Sequence, residues 1–319
     1  MEDRRWMAAA LAIGERPRGR TAPNPNVGCV IVARGVVVGR GWTQVGGRPH
    51  AEAMALAAAG EAARGATAYV TLEPCAHVSP RGPACSDLLV AAGIARVVVA
   101  IEDPDPRTLG AGSARLRAAG IAVETGVLAV EARRVMAGFL ARRALGRPQV
   151  TLKLATSLDG CIALADGRSR WITGPEARAH VHLERSRHEA ILIGRGTYDA
   201  DSPSLDVRLA GLADRSPARI LLSRGGPIPG WTVIDAPAAI ATLTGDHVLV
   251  EGGARTAAAF LYEDLVDRLL LYRAPILIGG GRASVGDIGL ADLADAHGRW
   301  RLHDTRMLGS DRVEVYERN

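Results

Sequence analysis

Residues 70–89 read VTLEPCAHVSPRGPACSDLL. An apolar, β-branched run ends at Glu73-Pro74-Cys75, and Cys85 opens an apolar stretch with helical spacing. Nine residues separate the two thiols, too many for the Cys-x-x-Cys knuckle of most structural zinc sites. Upstream, HAEAMALAAAGEAA (50–63) begins an Ala-rich helix with His50 and Glu52 at its start. One imidazole and two thiolates supply three ligands to a tetrahedral zinc and leave the fourth position for water. Helix N-termini favour anionic thiolates, and this reading places both Cys75 and Cys85 at helix starts. A bound zinc draws the pKa of its water down to about 7, and Glu52 stands two residues from His50, where it can take that water's proton. The alternatives are a structural zinc, for which His77 is the nearby fourth ligand, and two unrelated buried thiols. Cys29 and Cys161 lie in or beside apolar runs and read as buried small hydrophobes.

Residues 4–15 read as an amphipathic helix, and VGCVIVA (27–33) and VVVGRGW (36–42) as a hairpin turning at Arg34-Gly35. Strands are expected at 68–72 and 96–101, helices at 85–93, 112–119 and 129–145, and a further strand at IAVETG. Gly146-Arg147-Pro148 closes the last, Arg-rich helix, and a fresh strand follows, so a domain boundary is expected there: 1–146 and 147–319. The second half again alternates, with strands near 149–156, 190–194, 218–223, 246–251 and 265–272, a helix at 175–188, and a closing strand pair near 299–316. Strands alternating with helices predict an α/β fold. No G-x-G-x-x-G follows a strand in the second half, so a Rossmann cofactor loop is not supported.

The 319 residues contain 48% apolar side chains, ample for two cores, and no apolar run approaches the roughly 18–20 residues of a membrane span. The start, MEDRRWMAAALAIGERPRGR, lacks the apolar core and cleavage site of a signal peptide. Four cysteines do not suggest a disulfide framework, so a reducing cytoplasm is expected. The net charge of +5 comes from arginines spread along the chain, and two Phe, five Tyr and five Trp offer few stacking platforms for bases. Small-molecule substrates are therefore expected rather than nucleic acid or a membrane. Of 39 basic residues, 38 are Arg, and the one lysine, Lys153, is a candidate for a site that needs a compact ammonium. Asn occurs only as Asn24, Asn26 and Asn319, two of them within APNPNVG.

His50, Glu52, Cys75 and Cys85 in this order resemble the cytidine-deaminase-type signature H-x-E…P-C-x-x-C, with the cysteine gap widened. TAPNPNVGCVIV, GRPHAEAMAL, TLEPCAH and EDPDPRTLGAG resemble, over residues 1–145, the deaminase half of the bifunctional deaminase/reductases of riboflavin biosynthesis. The resemblance implies a cytidine-deaminase-like three-layer α/β/α domain, zinc on His50, Cys75 and Cys85, and Glu52 delivering a proton to the leaving amine. It also implies substrate contacts from Asn24, His77 and Arg81, residue types that suit a pyrimidine edge and a phosphate. The inter-cysteine run is one residue longer than is usual in that family, which bears on the equivalence of Arg81.

VTLKLATSLDGCIA, SRWITGPEAR, HLERSRHEAILIGRGTYDADSPSLDVR and VEGGARTAAAFL resemble the reductase half of the same family over about 148–319. This implies a dihydrofolate-reductase-like α/β domain that holds NADPH on strand ends and glycine turns. Cofactor contacts fall on Ala155, Trp171, Thr197, Asp201, Gly253, Ala254, Arg255 and Thr256, and substrate contacts on Ser169, Arg185, Leu205, Arg208 and Glu251. Lys153 lies on the strand leading to the cleft and is expected to polarise the sugar oxygen or imine during reduction. The stretch 209–248 is left without assigned contacts. The implied function is deamination of 2,5-diamino-6-(5-phosphoribosylamino)pyrimidin-4-one followed by NADPH-dependent reduction of its ribosyl group, in a homo-oligomer as is common in the family. The alternative is a nucleic-acid-editing zinc deaminase with an accessory C-terminal binding half.

Overall fold

The computed structural model describes residues 2–77 and 79–319, which divide into two compact units, Met1–Gly146 and Arg147–Asn319. In the first, α1 (Glu2–Gly14) precedes the hairpin β1 (Gly28–Ala33) and β2 (Val36–Trp42). Arg34 and Gly35 both take positive φ, 50° and 74°, which matches the right-handed twist of the flanking strands. Then follow α2 (Ala51–Ala59), β3 (Thr67–Leu72), α3 (Cys85–Ala91), β4 (Arg96–Ile101), α4 (Ala111–Ala118), β5 (Ala122–Thr125), α5 (Ala129–Val135) and α6 (Ala137–Leu145). The sheet order is β2-β1-β3-β4-β5, antiparallel across β1 and parallel from β3 onward. Helices α1 and α5 pack together on one face and α2, α3 and α4 on the other, giving three layers.

Close packing on the α2 face follows from glycine opposite alanine. A Cβ at Gly39 or Gly41 of β2 would lie 2.2 Å from the Ala55 carbonyl or 2.1 Å from that of Ala51. The bare strand lets the Ala-rich helix sit directly on the sheet, and this fixes where His50 and Glu52 begin it. Two expectations change. The helix expected over 129–145 breaks at Met136 (φ −102°, ψ 18°), beside the Val135 carbonyl that the buried Asn26 side chain binds at 3.1 Å. Cys75 does not start a helix: it lies in the loop after β3, and only Cys85 opens one. The Cys75 thiol instead receives the first N–H of α3, because the intervening loop folds back onto it.

The second unit is built on β6 (Gln149–Thr156), β7 (Cys161–Ala163), α7 (Pro175–Arg185), β8 (Ala190–Gly194), α8 (Arg195–Asp201), β9 (Ala218–Leu222), β10 (Thr232–Ile234), β11 (His247–Val250), α9 (Ala254–Tyr262), β12 (Arg268–Arg273), β13 (Arg282–Ala283), β14 (Trp300–Leu308) and β15 (Asp311–Arg318). Eight strands run β10-β9-β8-β11-β6-β12-β15-β14, parallel up to β12 and antiparallel through the closing pair, while β7 and β13 pair separately. The short β7, β10 and β13 and the helix α8 were not anticipated. Alternation along β6 sorts the core. Val150, Leu152 and Leu154 share one face with Ala257 and Phe260 of α9. Ala155 joins Leu270, Tyr272 and the α7 residues Ala177 and Val181 on the other. Lys153 is in register with Leu270 and so belongs to the α7 face. Cys29 and Cys161 are buried, as the sequence suggested. No described helix is long and apolar enough to cross a membrane.

Candidate active sites

In the first unit the ligand atoms of His50, Cys75 and Cys85 lie within 4.8 Å of one another. His50 ends the segment entering α2, and its Nδ1 stands 3.3 Å from Cys85 Sγ and 3.7 Å from Cys75 Sγ. Its Nε2 meets the Asn24 amide at 2.9 Å, an amide that also donates to the Gly47 carbonyl at 2.9 Å. The Cys85 N–H donates to Cys75 Sγ at 3.3 Å, and the hydrogen bond from the Cys85 thiol holds Cys75 well below the ordinary thiol range. The same contact pushes Cys85 up, with burial adding to it. One imidazole and two close sulfurs, one poised as thiolate, match the donor set of zinc. His77 is not in this cluster; its Nδ1 lies 3.3 Å from Thr108 Oγ1, so among the described residues no fourth protein ligand closes the site.

Glu52 is buried (3% exposed), and burial lifts its carboxyl to about 7, opposed by the His50 charge and reinforced by Cys75. A cavity of about 220 Å³ opens onto this group, lined by Asn24, His50, Glu52, Cys75, His77 and Arg81. Among the further lining residues that sequence reasoning did not assign to the site are Arg48, Asp103, Asp105, Arg107, Phe139 and Arg143. EDPDPR carried a signal for three of them, since it directly follows β4, and open α/β sheets place ligands at the carboxyl ends of their strands. Phe139 and Arg143 come from α6, and nothing local marks them. Buried Glu73 fixes the acidic loop by accepting the N–H groups of Asp103 (3.4 Å), Gly110 (3.0 Å) and Ser113 (2.8 Å). Arg107, and more weakly Arg143 at 3.5 Å, hold Asp105 well below the carboxylate range, while burial raises Asp103.

In the second unit the sequence-predicted residues gather at the carboxyl ends of β6, β8 and β11, where open α/β sheets place ligands. Arg185 and Glu251 form a two-pronged ion pair at 2.7 and 3.0 Å, 12% and 7% exposed. The Arg185 fork faces a carboxylate, leaving its other N–H groups for a ligand, and Nη1 also donates to the Asp206 carbonyl at 3.1 Å. Burial opposes ionisation of Glu251, but Arg185 and then Lys153 outweigh it and hold it below the glutamate range. Burial draws the Lys153 ammonium below the ordinary lysine range, Glu251 opposing and Arg185 adding to the effect. Its Nζ lies 6.0 Å from the Tyr272 ring centre.

His182, one turn before Arg185, was missed, although that spacing puts both on one face of α7. Its Nδ1 meets the Asp206 carbonyl at 3.1 Å and the Arg208 N–H at 3.3 Å, tying the exposed Arg208 to the Arg185 site. The Leu205 side chain is buried among Ile191, Ile193, Leu221 and Leu249, so only its backbone, at φ 56°, is free for a ligand. Thr256 is packed between two glycines, for a Cβ at Gly194 or Gly252 would approach it to 2.2 or 2.4 Å. Gly253 is open, with Thr197 Oγ1 at 3.7 Å from a Cβ position there, and Ala254 and exposed Arg255 begin α9 beside it. This bare turn is a cradle that suits a dinucleotide phosphate. Trp171 is 67% exposed beside the Arg178 guanidinium (4.7 Å), so it is not a core residue, and Arg170 joins that loop to Asp201 at 3.3 Å. Ser169 is half-buried in the same loop.

Residues 1–101 match the cytidine and deoxycytidylate deaminase zinc-binding region, and residues 148–313 match the RibD C-terminal domain, in place of the nucleic-acid-binding half that the alternative reading required. The riboflavin biosynthesis protein RibD of Escherichia coli K12 is 41% identical over 98% of both chains, and that of Mycobacterium tuberculosis H37Rv 39% identical over 96% of this chain and 94% of the relative. A solved structure of Acinetobacter baumannii RibD (form 1) superposes with a TM-score of 0.88 at 37% identity, covering 100% of this chain and 99% of that one. A Thermotoga maritima diaminohydroxyphosphoribosylaminopyrimidine deaminase/5-amino-6-(5-phosphoribosylamino)uracil reductase superposes at 0.89 and 30% identity, with the same coverage. With both halves matched and full-length relatives above a third identical, the chain belongs to the RibD family, the bifunctional deaminase/reductases of riboflavin biosynthesis.

Proposed function

We propose that residues 1–146 deaminate 2,5-diamino-6-(5-phosphoribosylamino)pyrimidin-4-one and that residues 147–319 then reduce its ribosyl group to ribityl with NADPH. The observation that carries the first half is the three-ligand cluster of His50, Cys75 and Cys85 opening onto a cavity that also contains buried Glu52. His50, Cys75 and Cys85 would hold zinc, which when bound supplies the Lewis acidity that activates water near neutral pH. Asn24 steadies the His50 ring from its far side. Glu52 takes one proton of the attacking water to the ring nitrogen, then carries the second, from the resulting hydroxyl, to the departing amine, which leaves as ammonia. Asn24 reads the pyrimidine edge, and His77 and Arg81 meet the phosphoribosyl arm.

In the second half, NADPH, when bound, supplies a hydride for C1 of the sugar. The Gly252-Gly253 turn, Ala254, Arg255, Thr256 and Thr197 cradle it, with Ala155, Trp171 and Asp201 along its length. Lys153 directs its ammonium at the sugar oxygen or imine, and its neighbours Glu251 and Arg185 set its charge balance. Arg185 and Arg208 hold the ribose phosphate, with Ser169 and the Leu205 backbone beside it. The same family reading extends to a cytoplasmic location and to self-association, which a sedimentation experiment would test.

The test is ordered. Zinc-replete protein with the diaminopyrimidine phosphate should release ammonia without NADPH, and NADPH oxidation should appear only after deamination. No ammonia release overturns the deaminase assignment.

A further inference from the structure

The widened inter-cysteine loop and the turn before α2 are joined by two arginines that cross. Arg48 Nη1 donates to the Arg81 carbonyl at 3.5 Å, and Arg81 Nη2 donates back to the Gly46 carbonyl at 2.7 Å. Gly82, at φ 137°, leaves room for this exchange, since a Cβ there would lie 2.9 Å from Arg48 Nη1. Both side chains line the deaminase cavity. Their charges are not balanced locally: among the described residues, no carboxylate pairs with either. On the other wall Arg107 and Arg143 are both engaged by Asp105. Each guanidinium carries five N–H donors, and the recorded contacts take one from Arg48 and one from Arg81. Two adjacent arginines with spare donors and no counter-charge suit a dianionic phosphomonoester, which a planar fork binds through paired charge-assisted hydrogen bonds.

We propose that Arg48 acts with Arg81 as a two-arginine clamp for the phosphate of the deaminase substrate, and that Arg48 makes the first unit select phosphorylated over unphosphorylated ribosylaminopyrimidine. This rests on the deaminase reading above and adds a specificity residue from outside the inter-cysteine loop. It also gives the longer loop a purpose: its added reach and Gly82 bring the Arg81 carbonyl to Arg48. A simpler role, in which Arg48 only fastens one loop to the other, makes a different prediction, because loosened loops impair both substrates alike.

The experiment compares ammonia release from the phosphorylated substrate and from its dephosphorylated counterpart, using the zinc-loaded full chain and zinc content per chain as a control. The wild type should prefer the phosphorylated compound. In Arg48→Ala the ratio of the two kcat/KM values should fall about 10- to 100-fold, carried by KM of the phosphorylated substrate, as expected for loss of a charge-assisted contact. Arg48→Lys, which keeps the charge and loses the fork, should restore part of the ratio and serves if the alanine variant misfolds. Inorganic phosphate should inhibit the wild type competitively and Arg48→Ala more weakly. An unchanged ratio in Arg48→Ala, with both substrates slowed equally, overturns the clamp in favour of the loop fastening. A wild type that releases ammonia from both compounds equally well overturns it too. Ammonia from neither compound sinks the deaminase reading itself, a result separate from the other two.

Discussion

Glu52 and Lys153 are the two side chains on which the chemistry depends, and each is placed by burial as much as by identity. Glu52→Gln keeps the shape and the zinc ligands but cannot carry a proton. Ammonia release should fall by about 100- to 10,000-fold with zinc content retained, measured by coupled ammonia assay and metal analysis. Lys153 was singled out because it is the chain's one lysine, and the structure adds the neighbours Glu251 and Arg185. Burial disfavours its charged form, so the ammonium is lost at lower pH than from an exposed lysine. Reductase kcat/KM should therefore decline on the alkaline side below the ordinary lysine pKa of 10.5, and Lys153→Arg should remove that limb along with most of the activity. A profile flat up to that pH would count against the assignment. Trp171 stands in solvent between Arg170 and Arg178, and the Leu205 side chain is buried among apolar neighbours.

At the scale of elements, α2 and the α5–α6 break position the deaminase cavity. The buried Asn26 donates to the carbonyls of Gly14 (3.0 Å) and Val135 (3.1 Å), joining the end of α1 to the end of α5. Asn26→Ala leaves both carbonyls without that donor and should destabilise the first unit by about 1–3 kcal/mol in urea unfolding. It should also weaken substrate binding, because α6 carries the cavity residues Phe139 and Arg143. A second element-scale contact couples α1 to the sheet: Asp3 accepts from Arg96 of β4 at 2.8 and 3.0 Å and from the Tyr69 hydroxyl of β3 at 2.8 Å. The Arg96 bond, then that of Tyr69, hold Asp3 below its ordinary value. A carboxyl depressed on folding stabilises above its unfolded pKa of about 3.9, and the contribution is lost as pH falls through the lower folded value. Asp3→Asn should thus reduce stability at neutral pH and flatten its decline in acid, followed as the urea midpoint against pH.

Across the whole molecule, two sheets of different order carry two separate groups of functional residues, one in each compact unit. If zinc serves only the first, a chelator should abolish ammonia release while leaving NADPH oxidation with pre-deaminated substrate intact. Loss of both activities would show that the metal supports the second unit as well.

The sequence by itself determined the local frame: the apolar β-branched runs, the Arg34-Gly35 hairpin, the Ala-rich helix behind HAE, and the order of the zinc-ligand types. These signals are local, since β-branched runs, turn chemistry and helix starts are set by neighbouring residues. The tertiary structure decided what local signals cannot carry. It turned Cys75 from a supposed helix start into a loop thiol served by the N–H of Cys85. It brought Arg143 from the end of the first unit beside Asp105, and it crossed Arg48 with Arg81. Each of these contacts spans ten to nearly forty residues of chain and depends on how closely packed helices and folded-back loops meet, which spacing along the sequence does not encode.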